Sequence, residues 1–177
     1  MCGIVGYIGT HQAAPVLLDG LAKLEYRGYD SAGIAVYDGE KIRMEKAVGR
    51  LKVLEELTQD GATLPGTVGI GHTRWATHGV PSDLNAHPHF NHDHSIVVVH
   101  NGIIENYLKL KKKLAGKGYE FLSETDTEVI AHMLDYYYKG DPLDAISKVM
   151  HRMEGSYGLG IMFRDHPDEV YAVRKDS

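Results

Sequence analysis

A tight turn between two short runs of alternating residues is what most restricts the folds open to this chain. Ala32 to Tyr37 is apolar, Asp38-Gly39 follows as a two-residue turn signal, and Lys41 to Val48 resumes with alternation. Such a pattern predicts an antiparallel hairpin. It recurs near the end of the sequence, where Tyr157 to Phe163 and Val170 to Val173 flank the turn-rich Asp165-His166-Pro167-Asp168. Helical spacing fills much of what lies between. Ala14 to Glu25 carries Leu17, Leu18, Leu21 and Leu24, and Leu51, Leu54 and Leu57 repeat the period, as do Tyr107, Leu110 and Leu114. Thr125-x-x-Glu128 reads as a capping box opening a helix through Val129, Ile130, Met133 and Leu134, and Leu143 to Met153 reads as another helix after Pro142. Residues 2 to 9, Thr67 to Ile70 and Ser95 to Val99 read as further strands, the second running into a long polar stretch from His72 to His94. Hairpins at both ends with helices between them argue for an α+β fold: stacked antiparallel sheets covered by helices, not a doubly wound parallel sheet.

The 177 residues suit one domain, spanning 2–177. With 19 Lys+Arg against 24 Asp+Glu the net charge is −5, which supplies no broad basic field and argues against nucleic acid or an anionic membrane as partner. Lysines 109, 111, 112, 113 and 117 sit mostly off the apolar stripe of their helix and read as a solvated face. A single cysteine excludes an intrachain disulfide and any CxxC zinc site, so a reducing, cytoplasmic setting is expected. No leader sequence precedes the first apolar run, and Arg174-Lys175-Asp176-Ser177 reads as the cut end of a fragment rather than a capped terminus.

The lone cysteine is Cys2. Removal of Met1 would place an α-amine, with a reference pKa of ~7.7 to 8.0, beside the thiol, and such an amine can act as base for its own side-chain nucleophile. Position alone leaves the plainer reading open, a small hydrophobe beginning a core strand.

Several motifs carry a resemblance. Cys2-Gly3-Ile4-Val5-Gly6, Glu25-Tyr26-Arg27-Gly28-Tyr29-Asp30-Ser31-Ala32-Gly33 and His72-Thr73-Arg74-Trp75-Ala76-Thr77-His78-Gly79 resemble the glutamine amidotransferases whose nucleophile is an N-terminal cysteine. Asn85-Ala86-His87-Pro88-His89, His100-Asn101-Gly102-Ile103-Ile104-Glu105-Asn106 and Ser123-Glu124-Thr125-Asp126-Thr127-Glu128 extend the match over nearly the whole chain. Within that family the motifs are most similar to the glucosamine-6-phosphate synthase branch. The resemblance implies a four-layer αββα sandwich of the N-terminal-nucleophile hydrolase type. It also implies hydrolysis of L-glutamine to glutamate and ammonia through a cysteinyl thioester, with no cofactor. A C-terminal sugar-isomerase domain that binds fructose 6-phosphate is implied as partner and is absent from this sequence; the full-length enzyme is expected to be homo-oligomeric.

The resemblance further implies roles for particular residues. Cys2 is the nucleophile, and the Asn101 side chain and Gly102 backbone N–H form an oxyanion hole. Taken alone, Asn-Gly after a strand is a hairpin signal, but the residues that follow lead into a helix. Arg74, whose planar fork suits a carboxylate, would clamp the α-carboxylate of glutamine, and Asp126 would hold its α-ammonium. Thr77 and His78 would line the pocket, Trp75 would form a lid, and Arg27 and Gly28 would support the N-terminal amine. The rival from another class is a metal-binding module built on His87, His89, His92 and His94, for which no neighbouring cysteine completes a ligand set.

Overall fold

Aliphatic residues occupy both faces of the central strands, a pattern that requires cover on two sides. The computed structural model, which describes residues 2–76 and 79–176, supplies that cover. The elements run β1 (Gly3–Ile8), α1 (Ala13–Ala22), a 3₁₀ turn (Glu25–Arg27), β2 (Ser31–Tyr37), β3 (Ile42–Val48), α2 (Leu51–Thr58), β4 (Val68–Arg74) and β5 (His89–Phe90). They continue with β6 (Ile96–Gly102), α3 (Tyr107–Ala115), α4 (Thr127–Tyr137), α5 (Pro142–Met150), β7 (Tyr157–Phe163) and β8 (Tyr171–Lys175). The described strands form two four-stranded sheets, ordered β1-β4-β2-β3 and β5-β6-β7-β8, with every pairing antiparallel.

Alternation along the strands sorts the side chains into three apolar layers. Ile34 and Val36 of β2 face α1 and α2, where Leu17, Leu21 and Leu54 are fully buried. Ile96 and Val98 of β6, with Leu159, Ile161 and Phe163 of β7, face Ile130, Leu134 and Ile146 of α4 and α5. The odd positions of β6, Val97 and Val99, instead meet Ala35, Val68 and Ile70 across the gap between the sheets. The result is the four-layer helix–sheet–sheet–helix sandwich that the resemblance implied. Glycines in β4 let the outer layer settle closely: a Cβ at Gly69 would lie 2.8 Å from Leu17 Cδ1, and one at Gly71 3.0 Å from Leu21 Cδ1. No helix among the described residues is long and apolar enough to cross a membrane.

The expected elements are present with shifts that have local causes. The first hairpin turns one residue later than Asp38-Gly39: Asp38 N–H donates to Lys41 O at 3.0 Å, which centres the turn on Gly39 and Glu40. Gly39 has φ +101°, and the Asp38 carboxylate accepts the N–H groups of Glu40 and Lys41. Half of the capping box forms. Thr125 Oγ1 accepts the Glu128 N–H at 3.4 Å, but the Glu128 carboxylate reaches back past Thr125 to the N–H groups of Leu122 and Ser123 at 2.8 and 2.7 Å. β4 runs on to Arg74 where apolarity predicts an end at Ile70, and the short β5 has no apolar signal of its own.

Candidate active site

The inter-sheet layer changes from apolar to polar at one end of the sandwich, and the period of the strands dictates which residues stand there. On β4 the inward positions are Val68, Ile70, His72 and Arg74; on β6 they are Val97, Val99 and Asn101; on β1, Ile4 is preceded inward by Cys2. Register fixes their neighbourhood. Ile4 pairs with His72 and Gly3 with Thr73, so Cys2 comes opposite Arg74, while Ser31 of β2 pairs with Arg74 from the other side. The seam thus ends in a thiol, an imidazole, a guanidinium and a carboxamide.

The Cys2 thiol is held by the chain that leaves β4. Trp75 N–H donates to Sγ at 3.2 Å, and the S–H points to Trp75 O at 3.6 Å. Burial pushes the thiol pKa up, partly offset by the Trp75 N–H, so at neutral pH the resting group is a thiol that needs a base to become a nucleophile. The Trp75 segment is itself anchored. Asp30 N–H donates to Arg74 O at 3.2 Å, and the Asp30 carboxylate accepts from Ala76 N–H and from Ser31 Oγ. Gly28 lies flat beneath it: a Cβ there would be 2.6 Å from Arg74 C and 2.9 Å from Trp75 N. Arg27 closes the 3₁₀ turn just before this contact.

Asn101 crosses from the second sheet. Its Nδ2 donates to the Cys2 carbonyl at 2.9 Å, and its Oδ1 lies 3.0 Å from His72 Nε2. Gly102 follows at φ +118°, where a Cβ would lie 2.2 Å from Ser156 O, so only glycine fits. Ile103 N–H donates to Ser156 O, and alternation along the ladder then turns the Gly102 N–H to the opposite edge of β6, past the end of the two-residue β5. A side-chain donor bonded to the Cys2 carbonyl and the backbone N–H of the next residue therefore follow one another along β6.

Arg74 is buried, with Nη2 donating to Gly79 O at 3.2 Å. Asp126 is also buried and sits at the start of α4. Its Oδ2 accepts the Ile104 N–H at 2.9 Å, tying α4 to the turn that follows Gly102, and Oδ1 lies 3.8 Å from His100 Nδ1. Trp75 is half-exposed, edge-on to Tyr29 with ring centroids 5.5 Å apart. Thr77 and His78 lie outside the described residues.

The four histidines of the metal reading separate into two pairs. His87 and His89 are buried, with His87 stacked on His72 at 4.2 Å and bonded through Nε2 to Thr127 Oγ1 at 2.7 Å. His92 and His94 are exposed, and His94 stacks on Phe90. Among the described residues no group of three or more His, Cys, Asp or Glu converges as a ligand set. The reason is chain direction: β5 drives His89 inward, and the turn beyond Phe90 carries the other pair to the surface.

Sequence reasoning missed the supporting residues. His72, Thr73 (whose Oγ1 accepts the Gly3 N–H at 3.2 Å), Asp30 and Lys46 all hold the site. Lys46 Nζ donates to the carbonyls of Leu84, Ala86 and Pro88, pinning the segment that carries His87, and burial lowers its pKa to about 8. Gly33 lets that segment pass: a Cβ would lie 2.1 Å from His87 O. Extending the period of two from Ile70 to Arg74 would have found His72; nothing local marks the others.

A glutamine amidotransferase domain family model matches residues 72–176. The chain is 60% identical over 177 residues to a glutamine–fructose-6-phosphate aminotransferase (isomerizing) of Caldanaerobacter subterraneus, covering all of this chain and 29% of that protein. Its counterpart in Thermus thermophilus is 53% identical over 175 residues, covering 98% and 28%. Among solved structures, the glutamine phosphoribosylpyrophosphate amidotransferase of B. subtilis superposes with a TM-score of 0.78 at 30% identity, over 93% of this chain and 35% of that one. The chain thus spans less than a third of the length of these curated relatives. On the family match, and on the fold it shares with the solved amidotransferase, the chain belongs to the glutamine amidotransferase domain family.

Proposed function

We propose that the chain hydrolyses L-glutamine to glutamate and ammonia at Cys2. The observation that carries this reading is Asn101 Nδ2 at 2.9 Å from the Cys2 carbonyl, a donor from one sheet placed on the nucleophilic residue of the other. Removal of Met1 gives Cys2 an α-amine, which takes the thiol proton as Sγ attacks the side-chain carboxamide carbon. A C–S bond forms, and negative charge moves to the carboxamide oxygen, where Asn101 Nδ2 and Gly102 N–H stabilise it. The amine returns the proton to the departing nitrogen, the C–N bond breaks, and ammonia leaves a cysteinyl thioester. Water then attacks the thioester, releasing glutamate and restoring the thiol.

Selectivity would follow from two buried charged groups. The buried Arg74 is suited to a bidentate grip on the α-carboxylate, and the buried Asp126 carboxylate to the α-ammonium. Trp75, half-exposed beside the thiol, would cover bound substrate, and Arg27 and Gly28 would support the amine. No cofactor enters the scheme.

The relatives' names point to the fate of the ammonia. In a protein of their full length, a further isomerase domain would bind fructose 6-phosphate and receive ammonia to give glucosamine 6-phosphate, in a cytoplasmic homo-oligomer. The test is an assay of the Met1-free chain. It should form glutamate from L-glutamine, form nothing from L-asparagine, and fail to aminate fructose 6-phosphate. Amination by the chain alone, or indifference to the side-chain length, would overturn the reading.

A further inference from the structure

We infer that His72 is a positioning residue, whose Nε2–H holds the Asn101 carboxamide in the single orientation that presents Nδ2 to the reacting centre. This rests on the glutaminase reading for its consequence, but the geometry stands by itself. His72 Nε2 lies 2.9 Å from His100 O and 3.0 Å from Asn101 Oδ1. A backbone carbonyl can only accept, so Nε2 must carry the proton. An N–H at that place requires the facing atom of Asn101 to be its oxygen. At the other end the carboxamide meets the Cys2 carbonyl, again an acceptor only, which requires its nitrogen there. Two backbone carbonyls, one at each end of the chain of bonds, therefore fix both the imidazole tautomer and the amide orientation.

The rest of the surroundings keep the ring in that state. His72 is fully buried, and its Nδ1 has no hydrogen-bond partner among the described residues, as suits the unprotonated nitrogen of a neutral imidazole. His87 stacks on the ring 20° from parallel and fixes its plane. Burial lowers the His72 pKa to about 3, so the ring stays neutral across the working range.

The consequence falls on the transition state. With the carboxamide reversed, Oδ1 would face the developing oxyanion and repel it, whereas ground-state glutamine, held through its α-groups, would bind as before. His72→Gln and His72→Asn separate this from a structural role, because the amide nitrogen of Gln reaches the place of Nε2 and that of Asn falls short. We expect His72→Gln to keep kcat near the wild-type value. His72→Asn should lower kcat by about 10- to 100-fold with KM changed by less than about twofold. In an Asn101→Ala background the two substitutions should be indistinguishable. Equal kcat for Gln and Asn in the otherwise wild-type chain, or an effect confined to KM, would overturn the proposal. Nitrogen-15 NMR of the unsubstituted chain, labelled at histidine, reads the tautomer without any assay and requires no variant to fold. A neutral Nε2–H ring at pH 7 supports the lock; an Nδ1–H or charged His72 contradicts it. Should the tautomer be as expected while wild-type chain releases no glutamate, the glutaminase reading fails and the orientation lock does not.

Discussion

Asn101 stands where the alternation of β6 passes from closing the core, at Val97 and Val99, to serving chemistry. Its amide is half-buried and already bonded at both ends, so truncation removes a preorganised donor rather than a mobile one. Asn101→Ala should lower kcat by about 10²- to 10³-fold with little change in KM, since the charge it meets exists only on the way to the thioester. Steady-state kinetics with glutamine read the split; a rise in KM at unchanged kcat would make Asn101 a ground-state contact. Asp126 calls for a gentler substitution, because its Oδ2 also accepts the Ile104 N–H. Asp126→Asn keeps an acceptor for that bond and removes the charge. It should cost about 2 to 5 kcal/mol in kcat/KM while leaving Tm within a few degrees. Unchanged kcat/KM would remove Asp126 from the glutamine pocket.

At the scale of elements, the sequence showed the hairpins and most helices because each buries one face or stripe against a partner, and burial leaves a period. β7 is bounded by the residues expected of it, Tyr157 to Phe163. The period fails as a guide where a strand stops being apolar. β4 continues through His72, Thr73 and Arg74 because register with β1 and β2 carries it, and its inward face there lines a site instead of a core. Of the residues named on motif resemblance, Cys2, Arg74 and Asn101 stand at that end, and Asp126 accepts the Ile104 N–H just beyond Gly102; the supports Asp30 and Lys46 act through carbonyls and N–H groups that leave no mark in a sequence. Gly28 shows how the elements depend on one another. Its φ of −173° is open to any residue, so its requirement is space against the Arg74–Trp75 backbone, which cannot rotate away as a side chain could. Gly28→Ala should push that backbone from the thiol and lower kcat/KM by about 10²-fold. Wild-type kinetics for this variant would show that the Trp75 segment is not the thiol's support.

The whole molecule couples its stability to the same seam. His72, His87 and His89 are buried and neutral; burial holds the first to about 3 and the other two well below the usual imidazole range. In the unfolded chain each titrates near 6.5, so between that value and the folded one the unfolded state binds more protons, and stability falls as pH falls. His72 contributes about 2 kcal/mol of loss between pH 7 and pH 5, and His87 and His89 add to it in the same direction. Urea midpoints should therefore drop over that interval and stay nearly level from pH 7 to pH 8; a midpoint flat from 7 to 5 would mean the three rings are charged or solvated in the native state. The account's central claim is that Cys2, through its own α-amine, is the nucleophile for glutamine. It is tested most directly by resolving one preparation into Met1-free and Met1-retaining chains, confirmed by mass, and measuring glutamate release by each. An amide nitrogen cannot accept the thiol proton, so the Met1-free chain should turn over glutamine and the Met1-retaining chain should be inactive; equal rates for the two forms would contradict the account.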